Sequence, residues 1–251
     1  MNKYFVCLLV ILMGFSTAWA VETEHDRVMQ IPKLDGKITL DGQFKEAMWE
    51  NGALCYKLPY INETSKPAKE FTQVCLWYDD NNLYLGWTCR DKDIAATYTK
   101  HDSMLWEEEV VEFFVSPQKM APVPGTVDYF ELQWNPLGTM FDAIIHNQVD
   151  AKGWSQKMEG NWDWNAKGMQ CAVRVQGTVS QSGDRDKKWQ VEVKIPFVAL
   201  NQETPKEGDI WYGNFYRYSR NNGKIAELQS WNPTTTPSFH EPKQFGKIVF
   251  K

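Results

Sequence analysis

The chain has 251 residues and is acidic, with 27 Lys and Arg against 32 Asp and Glu and a formal net charge of −5. That balance argues against nucleic acid and anionic membrane surfaces as partners, since both attract basic proteins. The length suits one large all-β domain or two small ones; without a low-complexity linker or an internal repeat, the expectation is a single domain over residues 21–251.

Residues 1–20 read as a secretory signal peptide. Lys3 gives the positive start, residues 4–15 form the apolar run, and Ala18-Trp19-Ala20 is a small-x-small cleavage site. The run is too short to span a bilayer as a helix, so the mature protein is expected to be secreted or periplasmic, without membrane insertion. Four cysteines then remain: Cys55, Cys75, Cys89 and Cys171. An even count in an exported chain permits two disulfides, with three pairings.

Strand-like runs occupy residues 38–40, 71–78, 83–89, 110–115, 129–134, 141–146, 171–179, 189–194, 211–218 and 246–250. Turn signals separate them: Asn81-Asn82, Asn135-Pro136-Leu137-Gly138, Ser182-Gly183-Asp184, Glu207-Gly208-Asp209 and Asn221-Asn222-Gly223. Many short strands punctuated this way predict an all-β fold, an antiparallel β-sandwich of two sheets. Only residues 44–51 and 197–200 carry helical signal. In the first hairpin, pairing Tyr78 with Leu83 puts Cys75 opposite Gly86. Cys75 and Cys89 then project from opposite faces and should not bond to each other.

The stretch of residues 106–117 holds the main functional signal. As a strand, residues 109–115 put Glu109, Val111, Phe113 and Val115 on one face and Val110, Glu112 and Phe114 on the other. The first face reads as core. The second places a carboxylate between apolar residues, with Trp106 at the strand's mouth. An aromatic ring beside an inward carboxylate suits a polyhydroxylated ligand: the ring covers C–H faces and the carboxylate accepts from hydroxyls. The plainer alternative is a core tryptophan followed by a solvated acidic edge. The 12 Trp, 10 Tyr and 13 Phe fit either view, because a large β-core also uses aromatics.

A series of motifs runs along nearly the whole mature chain. Asp41-Gly42 precedes Trp49; Trp77-Tyr78-Asp79-Asp80 leads into Leu83-Tyr84-Leu85 and Arg90-Asp91. Leu105-Trp106 and Val111-Glu112-Phe113-Phe114 follow, then residues 129–138, residues 189–197 and Gly213-Asn214-Phe215-Tyr216-Arg217. The series closes with Trp231-Asn232-Pro233, Phe239-His240-Glu241-Pro242 and Phe245-Gly246. In order, these motifs resemble the family-9 carbohydrate-binding modules and their exported relatives with an immunoglobulin-like or DOMON-like sandwich. The resemblance implies a protein that binds an oligosaccharide or polysaccharide without cutting it, in support of polysaccharide breakdown beside a separate glycoside hydrolase. Some members grip glucan or xylan chain ends between two rings. The matching positions here are Trp106 and Phe239, where the family often has Trp at the second. Glu112 matches a family carboxylate that contacts sugar hydroxyls. Glu131, Gln133 and Asn135 lie on the next strand and its turn, and which of them faces the ligand is left open. Arg217 reaches the same cleft or forms a structural salt bridge. Trp231 lines that end or is buried.

The family resemblance requires no cofactor but allows structural calcium, for which Asp79, Asp80, Asp91, Asp93 and Asp102 are candidate donors. Asp79-Asp80-Asn81-Asn82 is more simply a hairpin turn. Two rival readings come from other classes. A glycoside hydrolase needs two carboxylates flanking the scissile bond; Glu109 and Glu112 fall on opposite faces, but Glu112 and Glu131 could meet across strands. A haem-binding sandwich needs axial ligands such as His101, His146, Met104 or Met140, and nothing in their spacing singles them out.

Overall fold

The structure, a computed structural model, describes residues 27–63, 66–117, 125–181 and 184–251. The predicted signal peptide lies outside these residues, as do Ser182 and Gly183 of one predicted turn.

Among the described residues, thirteen strands make two sheets. In chain order they are β1 (Val28–Ile31), β2 (Leu54–Lys57), β3 (Thr72–Tyr78), β4 (Asn82–Arg90), β5 (Val110–Ser116), β6 (Gly125–Trp134) and β7 (Met140–Val149). Then come β8 (Ser155–Asn161), β9 (Gln170–Gln176), β10 (Lys188–Pro196), β11 (Ile210–Asn221), β12 (Lys224–Ser230) and β13 (Gly246–Phe250). One short helix, α1 (Ala47–Asn51), and 3-10 turns at Leu105–Glu107, Phe197–Leu200 and Pro242–Gln244 complete the described residues. The larger sheet runs β1-β13-β11-β5-β6-β7-β8, and β12 also pairs with β11. The smaller runs β2-β3-β4-β10-β9. Twelve-residue β11 serves two neighbours on one edge: its first part pairs with β13 and its second with β12.

This is the predicted sandwich, with differences in detail. Pairing is antiparallel except that β1 lies parallel to β13. Residues 38–40 form no strand, while β1, β2, β8 and β12 were not foreseen. The first hairpin has the predicted register, with Tyr78 opposite Leu83 and Cys75 opposite Gly86.

Alternation along the strands decides what each face meets. Val111, Phe113 and Val115 of β5 point between the sheets, with Leu132 and Trp134 of β6. There they join Leu76, Leu85, Trp87 and Val191 from the smaller sheet. The outer face of the smaller sheet is covered by the segment before β2. Glu192 accepts from the amides of Asp41 and Gly42 at 2.8 and 2.7 Å and from Trp49 Nε1 at 2.8 Å, and Trp49 packs on Trp77. The outer face of the larger sheet carries a second cluster that includes Val110, Phe114, Tyr129, Phe141 and Tyr216.

Of the two disulfides that the cysteine count permits, one forms, and Cys75 does not bond to Cys89, as expected. Cys55 and Cys75 face each other across β2 and β3 and form a disulfide, whereas Cys89 and Cys171 are free. Cys89 points into the core between the sheets and Cys171 sits on the edge strand β9, so their burial keeps both as thiols and raises their pKa, for Cys171 to about 11. No helix among the described residues is long and apolar enough to cross a membrane.

Candidate functional site

The outer face of the larger sheet holds a cleft of about 340 Å³. Its floor is laid down by register. Glu112 on β5 faces Gln133 on β6, and Phe114 faces Glu131, so Glu112, Glu131 and Gln133 share one face as diagonal and direct neighbours. Phe141 stands opposite Gln133 on β7, and Ile145 opposite Gly160 on β8. Of these seven, all but Phe114 line the cleft.

Three walls rise from that floor. The first is Trp106, half-buried, in the 3-10 turn before β5. The second is Trp162, just beyond β8 and 46% exposed; its ring meets Trp106 edge-on at 5.7 Å. A Cβ at position 160 would lie 2.5 Å from Trp162 Nε1, so glycine there lets the indole fold back over its own strand. The third is the loop carrying Ser238, Phe239 and His240, with Tyr218 of β11 beside it. Glu241 braces this loop by accepting from the amides of Thr235 and Thr236, both at 2.9 Å.

The acidic run after Trp106 is structural. Glu107 accepts from Tyr98 Oη at 2.5 Å, and Glu108 from the amides of Thr97 and Tyr98. Glu109 accepts from the Arg220 amide and pairs with Arg217. Arg220 in turn donates to the carbonyls of Trp106 at 2.7 Å and Glu108 at 3.1 Å. The turn that carries the indole is therefore held from both sides. Trp106 is neither a sealed core residue nor the start of a solvated edge.

The floor is polar, buried and incompletely satisfied. Gln133 Nε2 donates to Glu131 Oε1 at 2.6 Å. Glu112 is 1% exposed, and its Oε1 has no hydrogen-bond partner; the same is true of Gln133 Oε1. Such atoms cost free energy in an empty protein and are usually paired. Burial, and then the neighbouring Glu131 charge, push the Glu112 carboxyl well above the ordinary carboxylate range. Burial also raises Glu131, against the pull of the Gln133 amide. Two close acids without a cation resist ionising together, so the pair titrates as a unit. Burial lowers the His240 pKa to about 4, which leaves its imidazole neutral at pH 7; Nδ1 lies 2.8 Å from Tyr129 Oη.

Five of the eight residues expected at the site line this cleft: Trp106, Glu112, Glu131, Gln133 and Phe239. Phe239 is only 3% exposed and stacks on Tyr216 at 4.2 Å, so it closes the cleft more than it offers a platform. Three residues do not line it. Asn135 is consumed by its turn: Oδ1 accepts from the amides of Leu137 and Thr139, and Nδ2 donates to the Tyr98 carbonyl at 2.8 Å. Arg217 pairs in register with Val111 and therefore points between the sheets. It is wholly buried and binds Asp91 at 2.7 Å, Thr72 Oγ1 at 2.9 Å and Glu109 at 3.4 Å. Trp231 is packed in the core between the sheets. Sequence reasoning missed Trp162, Phe141, Tyr218 and His240. For Trp162 a signal was present: in Asn161-Trp162-Asp163-Trp164 an indole stands among polar residues, as Trp106 does.

The other predicted ligand sets do not meet at the cleft. Asp79 caps the first hairpin, Asp80 pairs with Lys33, Asp91 with Arg217, and Asp93 accepts from the Asn222 amide. Asp102, His101 and Asp142 lie together, with donor atoms within 4.8 Å of one another, but the His101 ring already bonds both carboxylates. His146 is exposed beside Asp128, Met104 is exposed, and Met140 packs against the core. None of His101, His146, Met104 and Met140 lines the cleft.

The family model for carbohydrate-binding family 9 matches residues 57–250. Three solved structures share the fold. A candidate carbohydrate-binding protein from Bacteroides uniformis aligns with a TM-score of 0.65 at 20% identity, over 90% of this chain and 99% of its own. A family 9 carbohydrate-binding module from Caldicellulosiruptor kristjanssonii in complex with glucose gives 0.59 at 15% identity, over 90% and 96%. Such a module from the same organism in complex with cellotriose gives 0.60 at 15% identity, over 90% and 94%. Comparison with curated protein sequences yields no match.

Proposed function

This chain belongs to carbohydrate-binding family 9, and from that premise we propose that it holds its glycan in the cleft of Trp106, Trp162, Glu112, Glu131 and Gln133. It is a carbohydrate-binding protein and not an enzyme. The observation that carries the site assignment is the pairing of open indoles with a buried acceptor floor. Trp106 and Trp162 offer flat apolar faces to C–H surfaces, and the floor offers acceptors for hydroxyls. Glu112 and Glu131 rise from one sheet face, on the same side of any bound sugar, whereas hydrolysis requires carboxyls flanking the bond.

Within that reading the ligand is an oligosaccharide or polysaccharide with a backbone of the glucan or xylan type, held by a chain end. The cleft's closed side at Phe239 and His240 supports an end over a through-running chain. The protein is exported by the leader in residues 1–20 and serves polysaccharide breakdown beside a separate hydrolase. The experiment is a titration of an oligosaccharide panel by calorimetry against wild type and Trp106→Ala. A central stacking anchor contributes about 1–3 kcal/mol, so the variant should bind roughly 5- to 150-fold more weakly. Equal affinities would reject the platform.

A further inference from the structure

We infer that the cleft is built for a glycan unit carrying a protonated primary amine, an amino sugar rather than a neutral hexose. The inference rests on the glycan-binding reading above and sharpens its substrate class.

The floor is an excess of acceptors. Glu112 Oε1 and Gln133 Oε1 are buried and unpartnered, and both side chains line the cleft with Glu131. Gln133 has already committed its amide nitrogen to Glu131, which leaves its oxygen without a partner, and Glu112 is its direct cross-strand neighbour. Among the described residues, no lysine or arginine lines the cleft. Arg220, whose guanidinium sits 5.8 Å from the Tyr218 ring, is engaged with the carbonyls of Trp106 and Glu108. The remaining titratable groups facing the two acids are Tyr129, Tyr216, Tyr218 and His240, and none supplies a positive charge.

A neutral hydroxyl brings one proton and no charge to this arrangement. An ammonium group brings three N–H donors and the missing charge, matching Glu112, Glu131 and Gln133 with charge-assisted hydrogen bonds. The apolar walls of Trp106 and Trp162 restrict the ligand to one with flat C–H faces, which favours a sugar amine over a free amino acid or polyamine. On their own the two acids retain protons to higher pH than usual, for the reasons given above. Entry of an ammonium favours their ionised forms, so binding should release a proton to solvent.

Three disaccharides with the same β-1,4 linkage test this: the diamine of chitobiose, its N,N′-diacetyl form, and cellobiose. They differ at the C2 substituent. Each is titrated calorimetrically near pH 6.5, with EDTA present to remove divalent cations, in two buffers of different ionisation enthalpy. The diamine should bind about tenfold or more tighter than cellobiose, the difference expected from exchanging neutral for charged hydrogen bonds. Its heat should vary with buffer, and acetylation should abolish the advantage. Glu112→Gln should bring the diamine-to-cellobiose ratio close to one; Glu131→Gln serves as a second variant, with thermal melting confirming that each is folded. Cellobiose binding as tightly as the diamine, or a preference that survives both variants, overturns the amine assignment while leaving glycan binding intact. Failure of all three and of the wider panel rejects the glycan site itself and the inference with it.

Discussion

Replacing Arg217 with methionine would test how the two sheets are held together. The guanidinium, on β11 of the larger sheet, is fully buried and satisfies Asp91, Thr72 Oγ1 and the Arg90 carbonyl of the smaller sheet's hairpin. It also reaches Glu109, whose carboxyl burial raises well above the ordinary range, with Arg217 pulling it down and Asp91 pushing it further up. Methionine keeps much of the volume but leaves two buried acids without a cation. Breaking a buried ion pair from one side costs about 3–5 kcal/mol. For a chain of this size that corresponds to a melting temperature lower by roughly 6–20 °C. The sign of the pH dependence follows from linkage. An acid whose folded pKa lies above its unfolded value is neutral in both states at low pH and costs nothing there. As pH rises through the unfolded and then the folded pKa, the folded state loses stability relative to the unfolded one. The deficit of Arg217→Met should therefore be small near pH 5 and grow toward pH 8. Urea denaturation at pH 5, 7 and 8 measures it. A loss below about 1 kcal/mol that stays flat with pH would refute the reasoning, because it would mean that the acids are not stranded.

Two further outcomes follow from other parts of the fold. Glu112→Gln should raise the melting temperature at pH 8 and leave it nearly unchanged at pH 4. The wild-type carboxyl has its folded pKa raised, so its cost appears only as pH climbs above the unfolded value; a variant less stable than wild type at pH 8 contradicts this. Cys55→Ser should cost about 3 kcal/mol, the loop-closure entropy for a separation of 20 residues. Identical urea midpoints for wild type and variant, measured without reductant, would show that the bridge contributes nothing.

The sandwich was legible because the strands alternate cleanly where one face is core. Glu112 could be placed on the outer face, and the first hairpin's register predicted, from period-two patterning and one turn. Three of the four strands that escaped notice are too exposed or too short to show that pattern. β8 is exposed along its whole length, and β1 and β2 are four residues long. Arg217 was ambiguous for a physical reason. Its neighbours in sequence read as a strand, but only the register with Val111 decides which face an arginine takes, and a guanidinium can be buried when several acceptors converge on it. Asn135 looked like a ligand residue because an amide in a turn and an amide in a sugar site have the same chemistry. The choice of Cys55 as the partner of Cys75 required knowing that β2 pairs with β3, and β2 carries almost no strand signal.

The two indole walls of the cleft are mounted differently. Trp106 rides on a turn clamped by Arg220 and by the carboxylates that follow it. Trp162 follows the outermost strand of its sheet, which has one neighbour and no buried residue. The cleft thus has one wall braced by hydrogen bonds and one carried by an exposed edge strand. In the proposed glycan site, a bulkier or decorated saccharide would displace the Trp162 side before the Trp106 side.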